Sequence, residues 1–107
     1  MANDVELVVV TLAFEAAGPE ADERLRRHLA RYVVLARDEP GCRNIDLVAS
    51  ATHPHRYLLI EKWESDDHQR AHFDAEPLVE LARSCDGLLA TAPAIDLHEP
   101  ISAHDLS

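Results

Sequence analysis

The run from Val5 to Phe14 constrains this chain more than any other part of it: it is apolar, rich in β-branched residues, carries one charge, Glu6, and stops at Gly18-Pro19. Such residues suit a pleated strand, and a strand without polar alternation is covered on both faces. Side chains alternate along a strand, so Val5, Leu7, Val9 and Ala13 point one way while Val8, Val10, Leu12 and Phe14 point the other. Whatever this strand builds must hide two apolar faces.

The segments that follow supply a cover for one face. From Pro19 to about Asp38, Leu25, Leu29, Val33 and Ala36 recur at helical spacing and form a buried stripe. Glu20, Asp22 and Glu23 fall in the first turn and Arg31 and Arg37 later, the order a helix dipole favours. Glu39-Pro40-Gly41 ends this helix, because the residue before Pro is driven out of the helical region and Gly permits a turn. Cys42 to Ser50 reads as a strand with Ile45, Leu47 and Ala49 on one side and Asn44 and Asp46 on the other. After the loop Thr52-His53-Pro54-His55, Arg56 to Glu64 returns antiparallel, with Tyr57, Leu59 and Trp63 on one face and Leu58 and Ile60 on the other.

Ser65 is placed to cap a second helix, whose first turn holds Asp66 and Asp67 and which is interrupted near Pro77. Leu78, Leu81, Ala82 and Cys85 continue the helical spacing to Asp86-Gly87, and Ala94 to Glu99 is a short last strand. The order β-α-β-β-α-β predicts an α+β, ferredoxin-like domain over residues 1–107, with two helices on one face of a four-stranded antiparallel sheet. The other apolar face then needs a partner sheet or an apolar ligand, and a two-fold homodimer covers it economically.

Size and charge narrow the function. A chain of 107 residues has material for one core, not two. Twenty Asp and Glu against ten Lys and Arg give a formal charge of −10, which repels a phosphate backbone or an anionic lipid surface, so neither nucleic acid nor membrane is an expected partner. No apolar run approaches the ~20 residues of a membrane span, and Met1-Ala2-Asn3-Asp4 lacks the basic flank of a signal peptide, so a cytoplasmic protein is expected. Cys42 and Cys85 have no metal-ligand spacing and read as reduced, packed thiols. His68 and His72 lie four apart on one helical face near Glu64 and Asp67, but two histidines need a third ligand from elsewhere, and no metal is expected.

The densest group of chemically useful side chains is Glu61-Lys62-Trp63-Glu64-Ser65-Asp66-Asp67-His68-Gln69-Arg70-Ala71-His72. Together with the Glu39-Pro40-Gly41-Cys42 turn and the short final strand, it resembles the antibiotic biosynthesis monooxygenase domain family, especially its small quinol monooxygenase-like members. The resemblance spans nearly the whole chain and is most specific in Glu61-x-Trp63-x-Ser65, in His72 and in the Glu-Pro-Gly-Cys turn.

The resemblance implies a dimeric ferredoxin-like protein that oxygenates a small aromatic or quinol with dioxygen and with no cofactor. A deprotonated phenol or quinol can pass an electron to dioxygen, and the radical pair collapses to a peroxide. The protein then supplies a dry cavity, a proton acceptor and hydrogen-bond donors. On this resemblance His72 is the general base, since imidazole titrates near neutrality. Trp63 is an aromatic wall with an indole donor, and Glu61, on the same strand face, is a supporting carboxylate. Tyr57, Asn44, Leu59 and Phe73 are the expected substrate contacts. Leu59 stands where aromatic-polyketide oxygenases of the family place an Asn, and Glu76-Pro77 where quinol-type members carry a second His. No Asn lies between Val5 and Phe14, which disfavours haem degradation. The alternative left open is a non-catalytic dimeric module that binds a small hydrophobic metabolite.

Overall fold

The computed structural model of the chain describes residues 7–102, so Val5 and Glu6 of the first apolar run lie outside the described residues. The apolar run becomes strand β1 (Val8–Glu15). It sits inside the sheet because it has two partners: β3 (Arg56–Trp63) on one side and β4 (Ala94–His98) on the other, both antiparallel. Strand β2 (Cys42–Ala49) adds beyond β3, giving the order β2-β3-β1-β4. This is the ferredoxin-like α+β arrangement, with helices on one face of a four-stranded antiparallel sheet.

The helices differ from the sequence expectation in number. Helix α1 (Pro19–Ala36) is followed, after β3, by α2 (Asp66–Phe73) and α3 (Glu76–Ser84), where one interrupted helix was expected. Pro77 lies in the first turn of α3, so it opens a helix instead of kinking one. Proline is tolerated there because the first N–H groups of a helix have no intrahelical partner. Ser65 caps α2 as expected, its Oγ accepting the His68 backbone N–H at 3.2 Å.

The alternation of β1 holds. Val10, Leu12 and Phe14 are buried with Leu59, Trp63 and Ile45 beneath Leu25, Leu29, Val33 and Ala36 of α1 and Leu81 of α3. Burying each of the larger of these side chains contributes about 1.5–3 kcal/mol. On the outer face Val9 is buried, Thr11, Ala13, Leu58 and Ile60 are half-buried, and Val48 is 44% exposed. Polar residues border this strip, and the Thr11 hydroxyl lies 2.8 Å from His98 Nε2.

The turn from α1 into β2 positions the site described below. Gly41 has φ +79°, a conformation that glycine adopts without penalty. Its carbonyl accepts the Glu64 backbone N–H at 2.8 Å. A Cβ at Gly41 would fall 2.2 Å from a ring carbon of His68, so the turn and α2 approach too closely for any side chain there. Arg37 secures the end of α1 by donating to the Ile45 carbonyl at 2.8 Å.

Candidate active site

Glu61 stands in the middle of β3, opposite Val10 on one side and Ile45 on the other, with its side chain fully buried. A carboxylate among aliphatic neighbours must find hydrogen-bond donors or take up a proton. Glu61 has two donors: the Tyr32 hydroxyl at 2.5 Å from Oε2 and the Trp63 indole N–H at 3.0 Å from Oε1. Burial pushes its carboxyl pKa up, and the hydrogen bond from Tyr32 and the neighbouring His72 oppose that shift. Trp63 lies two residues on and therefore on the same strand face, which is how its N–H reaches back.

His72, near the end of α2, is 1% exposed. Its Nε2 lies 2.6 Å from the Tyr32 hydroxyl and 3.5 Å from Glu61 Oε1, and its Nδ1 lies 2.8 Å from Glu39 Oε2. One face of the ring stacks on Trp63, with centroids 4.3 Å apart and planes at 26°. The structure thus brings Glu61, Trp63 and His72 together and adds two residues that the sequence reading missed as site members. Tyr32 was legible in part, since it falls seven residues after Leu25 in the buried stripe of α1. In the sequence Glu39 belongs to the Glu39-Pro40-Gly41 turn, and nothing local marks its side chain as a histidine partner.

Burial, and next the charge of Glu61, raise the Tyr32 pKa far above the usual tyrosine range, so its hydroxyl keeps its proton. The Cys42 thiol is pushed up to about 11 by burial and by Glu61 and Glu39, with Arg37 opposing, which makes it an unreactive thiol at neutral pH.

The other expected contacts are dispersed. Tyr57 is buried under the start of α1, where its hydroxyl donates to Asp22 at 2.5 Å. Leu59 is fully buried core. Asn44 is exposed on the outer sheet face and donates to Asp46 at 3.1 Å, so it does not floor a cavity on the helix side. His68 turns away from His72, its Nδ1 lying 2.8 Å from Ser65 Oγ. Among the described residues no three His, Cys, Asp or Glu side chains converge on a point that could hold a metal ion.

The large cavity lies elsewhere on the helix side, under α3 and against β1 and β4. Among the described residues no helix reaches over the edge strand, and Ile95 and Leu97 are about half exposed at 50% and 51%. The space of about 720 Å³ is bounded chiefly by Leu12, Phe14, Phe73, Leu81, Cys85 and Ile95. That volume and apolar lining suit a small aromatic molecule. Of the expected site residues Phe73 alone lines it, and the Phe73 ring centroid is 6.3 Å from that of His72. Glu61, Trp63 and His72 do not line it. The indole N–H of Trp63 is already taken by Glu61 and one of its faces by His72, so it is no wall of this cavity.

Known structures share this arrangement of elements. A Pseudomonas aeruginosa protein is 26% identical, with 91% of this chain and 96% of that one covered and a TM-score of 0.80. A Mycobacterium tuberculosis protein is also 26% identical, with 91% and 97% covered and a TM-score of 0.83. A structure described as an antibiotic biosynthesis monooxygenase matches at 22% identity over 89% and 98%, with a TM-score of 0.77, a likeness of fold. No curated protein matches the chain at a significant level. The sequence model of the antibiotic biosynthesis monooxygenase family matches residues 7–83, across β1 to α3, and the chain belongs to that family.

Proposed function

We propose that this protein is a cofactor-independent monooxygenase that binds a small aromatic or quinol in the apolar cavity and oxidises it with dioxygen. The observation that carries the reading is the position of Phe73, which lines the apolar cavity and lies beside His72, a member of a buried hydrogen-bonded set of titratable groups. The substrate supplies the electrons. An anthrone-like methylene loses its two hydrogens and gains one oxygen as a carbonyl, and the second oxygen of dioxygen leaves with those hydrogens as water. Deprotonation comes first, because the anion is the electron donor, and His72, beside the cavity-lining Phe73 though not itself in the lining, is the base we assign to it. Apolar walls of Leu12, Phe14 and Leu81 shield the anion and the peroxide on the inner side of the cavity.

A second copy of this chain covers the outer sheet face, where Val9, Ala13, Leu58 and Ile60 form an apolar strip. Free Cys42 and Cys85 are compatible with a cytoplasmic setting.

Oxygen uptake by the protein against a panel of quinols and anthrone-like phenols, with autoxidation subtracted, tests the reading. Uptake is expected with at least one substrate, and is expected to fall when Ala82→Phe fills the cavity, since Ala82 lines it from the exposed side of α3. A second reading is favoured by the absence of Glu61, Trp63 and His72 from the cavity lining: a module that binds a hydrophobic metabolite without turning it over. Binding that Ala82→Phe abolishes, with no oxygen uptake from any substrate, would select it.

A further inference from the structure

We propose that Glu61, Tyr32, His72 and Glu39 conduct protons as one chain, with Tyr32 the relay between Glu61 and His72 and Glu39 the outlet to solvent. This deepens the function proposed above by giving the destination of a proton taken from substrate. It rests on that reading for the source of the proton alone, and the chain is tested on the substrate-free protein.

The heavy-atom spacing is the first argument. Glu61 Oε2 to the Tyr32 hydroxyl is 2.5 Å, the hydroxyl to His72 Nε2 is 2.6 Å, and His72 Nδ1 to Glu39 Oε2 is 2.8 Å. All three are hydrogen-bond lengths, so each link holds a proton. The direct separation of His72 Nε2 from Glu61 Oε1, 3.5 Å, is longer than a good N–H···O bond, which leaves Tyr32 as the path between them.

Counting protons gives two arrangements. In the first, Tyr32 donates to an ionised Glu61, and His72 is an imidazolium that donates through Nε2 to Tyr32 and through Nδ1 to Glu39. In the second, Glu61 is a carboxylic acid donating to the Tyr32 oxygen, Tyr32 donates to Nε2, and a neutral His72 donates through Nδ1 to Glu39. The two contain the same number of protons and differ in which heavy atoms carry them. They interconvert when the Tyr32 proton passes to Glu61 as the Nε2 proton passes to Tyr32.

Exposure gives the chain a direction. Tyr32, Glu61 and His72 are 2%, 0% and 1% exposed, whereas the Glu39 side chain is 14% exposed. Glu39 is thus the member through which a proton reaches water. The groups facing the chain are Tyr32 and Arg37 from α1 and its end, Glu39 from the turn, Cys42 from β2, Glu61 and Trp63 from β3, and His72 from α2. Trp63 donates to Glu61 and Arg37 to the Ile45 carbonyl, while Cys42 lies beside Glu61 and Glu39, and none of the three stands between two members of the chain.

Nuclear magnetic resonance of the free protein tests both parts. Trp63 is the one tryptophan, so its indole N–H signal reports the charge of Glu61, and labelled histidine reports the His72 ring nitrogens. In the wild type the two reporters are expected to move in a single shared pH transition, and in Tyr32→Phe to separate into two. Separate transitions in the wild type, or a shared one that survives in Tyr32→Phe, would overturn the relay. For the outlet, Glu39→Gln keeps an acceptor oxygen but cannot take up and release a proton. Exchange of the His72 Nδ1 proton with deuterated water is expected to slow roughly 10²-fold, the lower end of what a positioned acid or base contributes, while backbone amides of α2 exchange as before. An unchanged ring-proton rate, or one that follows the α2 amides in both proteins, would remove Glu39 from the chain. Glu39 lies at a surface turn, so this arm stands even if Tyr32→Phe fails to fold.

Discussion

Trp63 and His72 lie face to face, ring centroids 4.3 Å apart, in a pocket that leaves neither side chain in contact with water. The stack holds the imidazole in the plane that lets both of its nitrogens find partners, Tyr32 on one edge and Glu39 on the other. A histidine held this way serves packing as well as any chemistry, and the two roles have separable consequences.

His72→Ala removes the ring from the Trp63 face and strands two carboxylates and a hydroxyl. Breaking a buried charged or hydrogen-bonded set by deleting one member costs about 3–5 kcal/mol. Urea unfolding is expected to show a lower midpoint with an unchanged slope. A loss under about 1 kcal/mol would mean that the surrounding groups reach water or one another without the ring.

The raised Glu61 pKa makes stability depend on pH with a definite sign. Its ordinary value is 4.5, and the folded value is higher, chiefly through burial. Over the interval between them the folded state binds the extra proton. The stability that Glu61 contributes is therefore complete below 4.5 and is lost as pH rises through the folded value. Glu61→Gln cannot ionise, so the difference between wild-type and variant unfolding free energies should change across that interval. Parallel curves would show that Glu61 is ionised as easily as in water.

Gly41→Ala tests the turn that carries Glu39 to His72. A non-glycine residue held in the left-handed region costs about 1–3 kcal/mol, and here its Cβ would also displace His68. Thermal unfolding is expected to fall accordingly. Gly18→Ala serves as the control, because a Cβ there meets nothing within 4 Å.

The outer sheet face tests the dimer. Ile60 is half-buried near the middle of the strip, and Ile60→Lys would place a charge in the face proposed to meet a second copy. Sedimentation is expected to show a dimer at micromolar concentration for the wild type and a monomer for the variant. A wild-type monomer would mean that the half-exposed strip is tolerated in water.

Local pattern accounts for what the sequence by itself determined. The period of β1, the stripe of α1, the Ser65 cap and the alternation of β3 fixed the elements and the two sheet faces, because each depends on residues within a few positions of one another. The same alternation put Glu61 and Trp63 on one face. Two details lay beyond local pattern. Pro77 interrupts a helix or begins one with equal ease by composition, and the choice went to the start of α3 because α2 had already ended at Phe73. Asn44 was sided correctly on its strand, yet only the packed sheet shows which side the helices cover.

The site itself belongs to tertiary structure. Tyr32 meets Glu61 and His72 across 29 and 40 residues of sequence, and Glu39 meets His72 across 33. No periodicity carries that information. Where α1 lies over β3, and where α2 is pressed against Gly41, is settled by how the apolar faces fill space, and those contacts bring four polar groups into a line that no stretch of the chain contains.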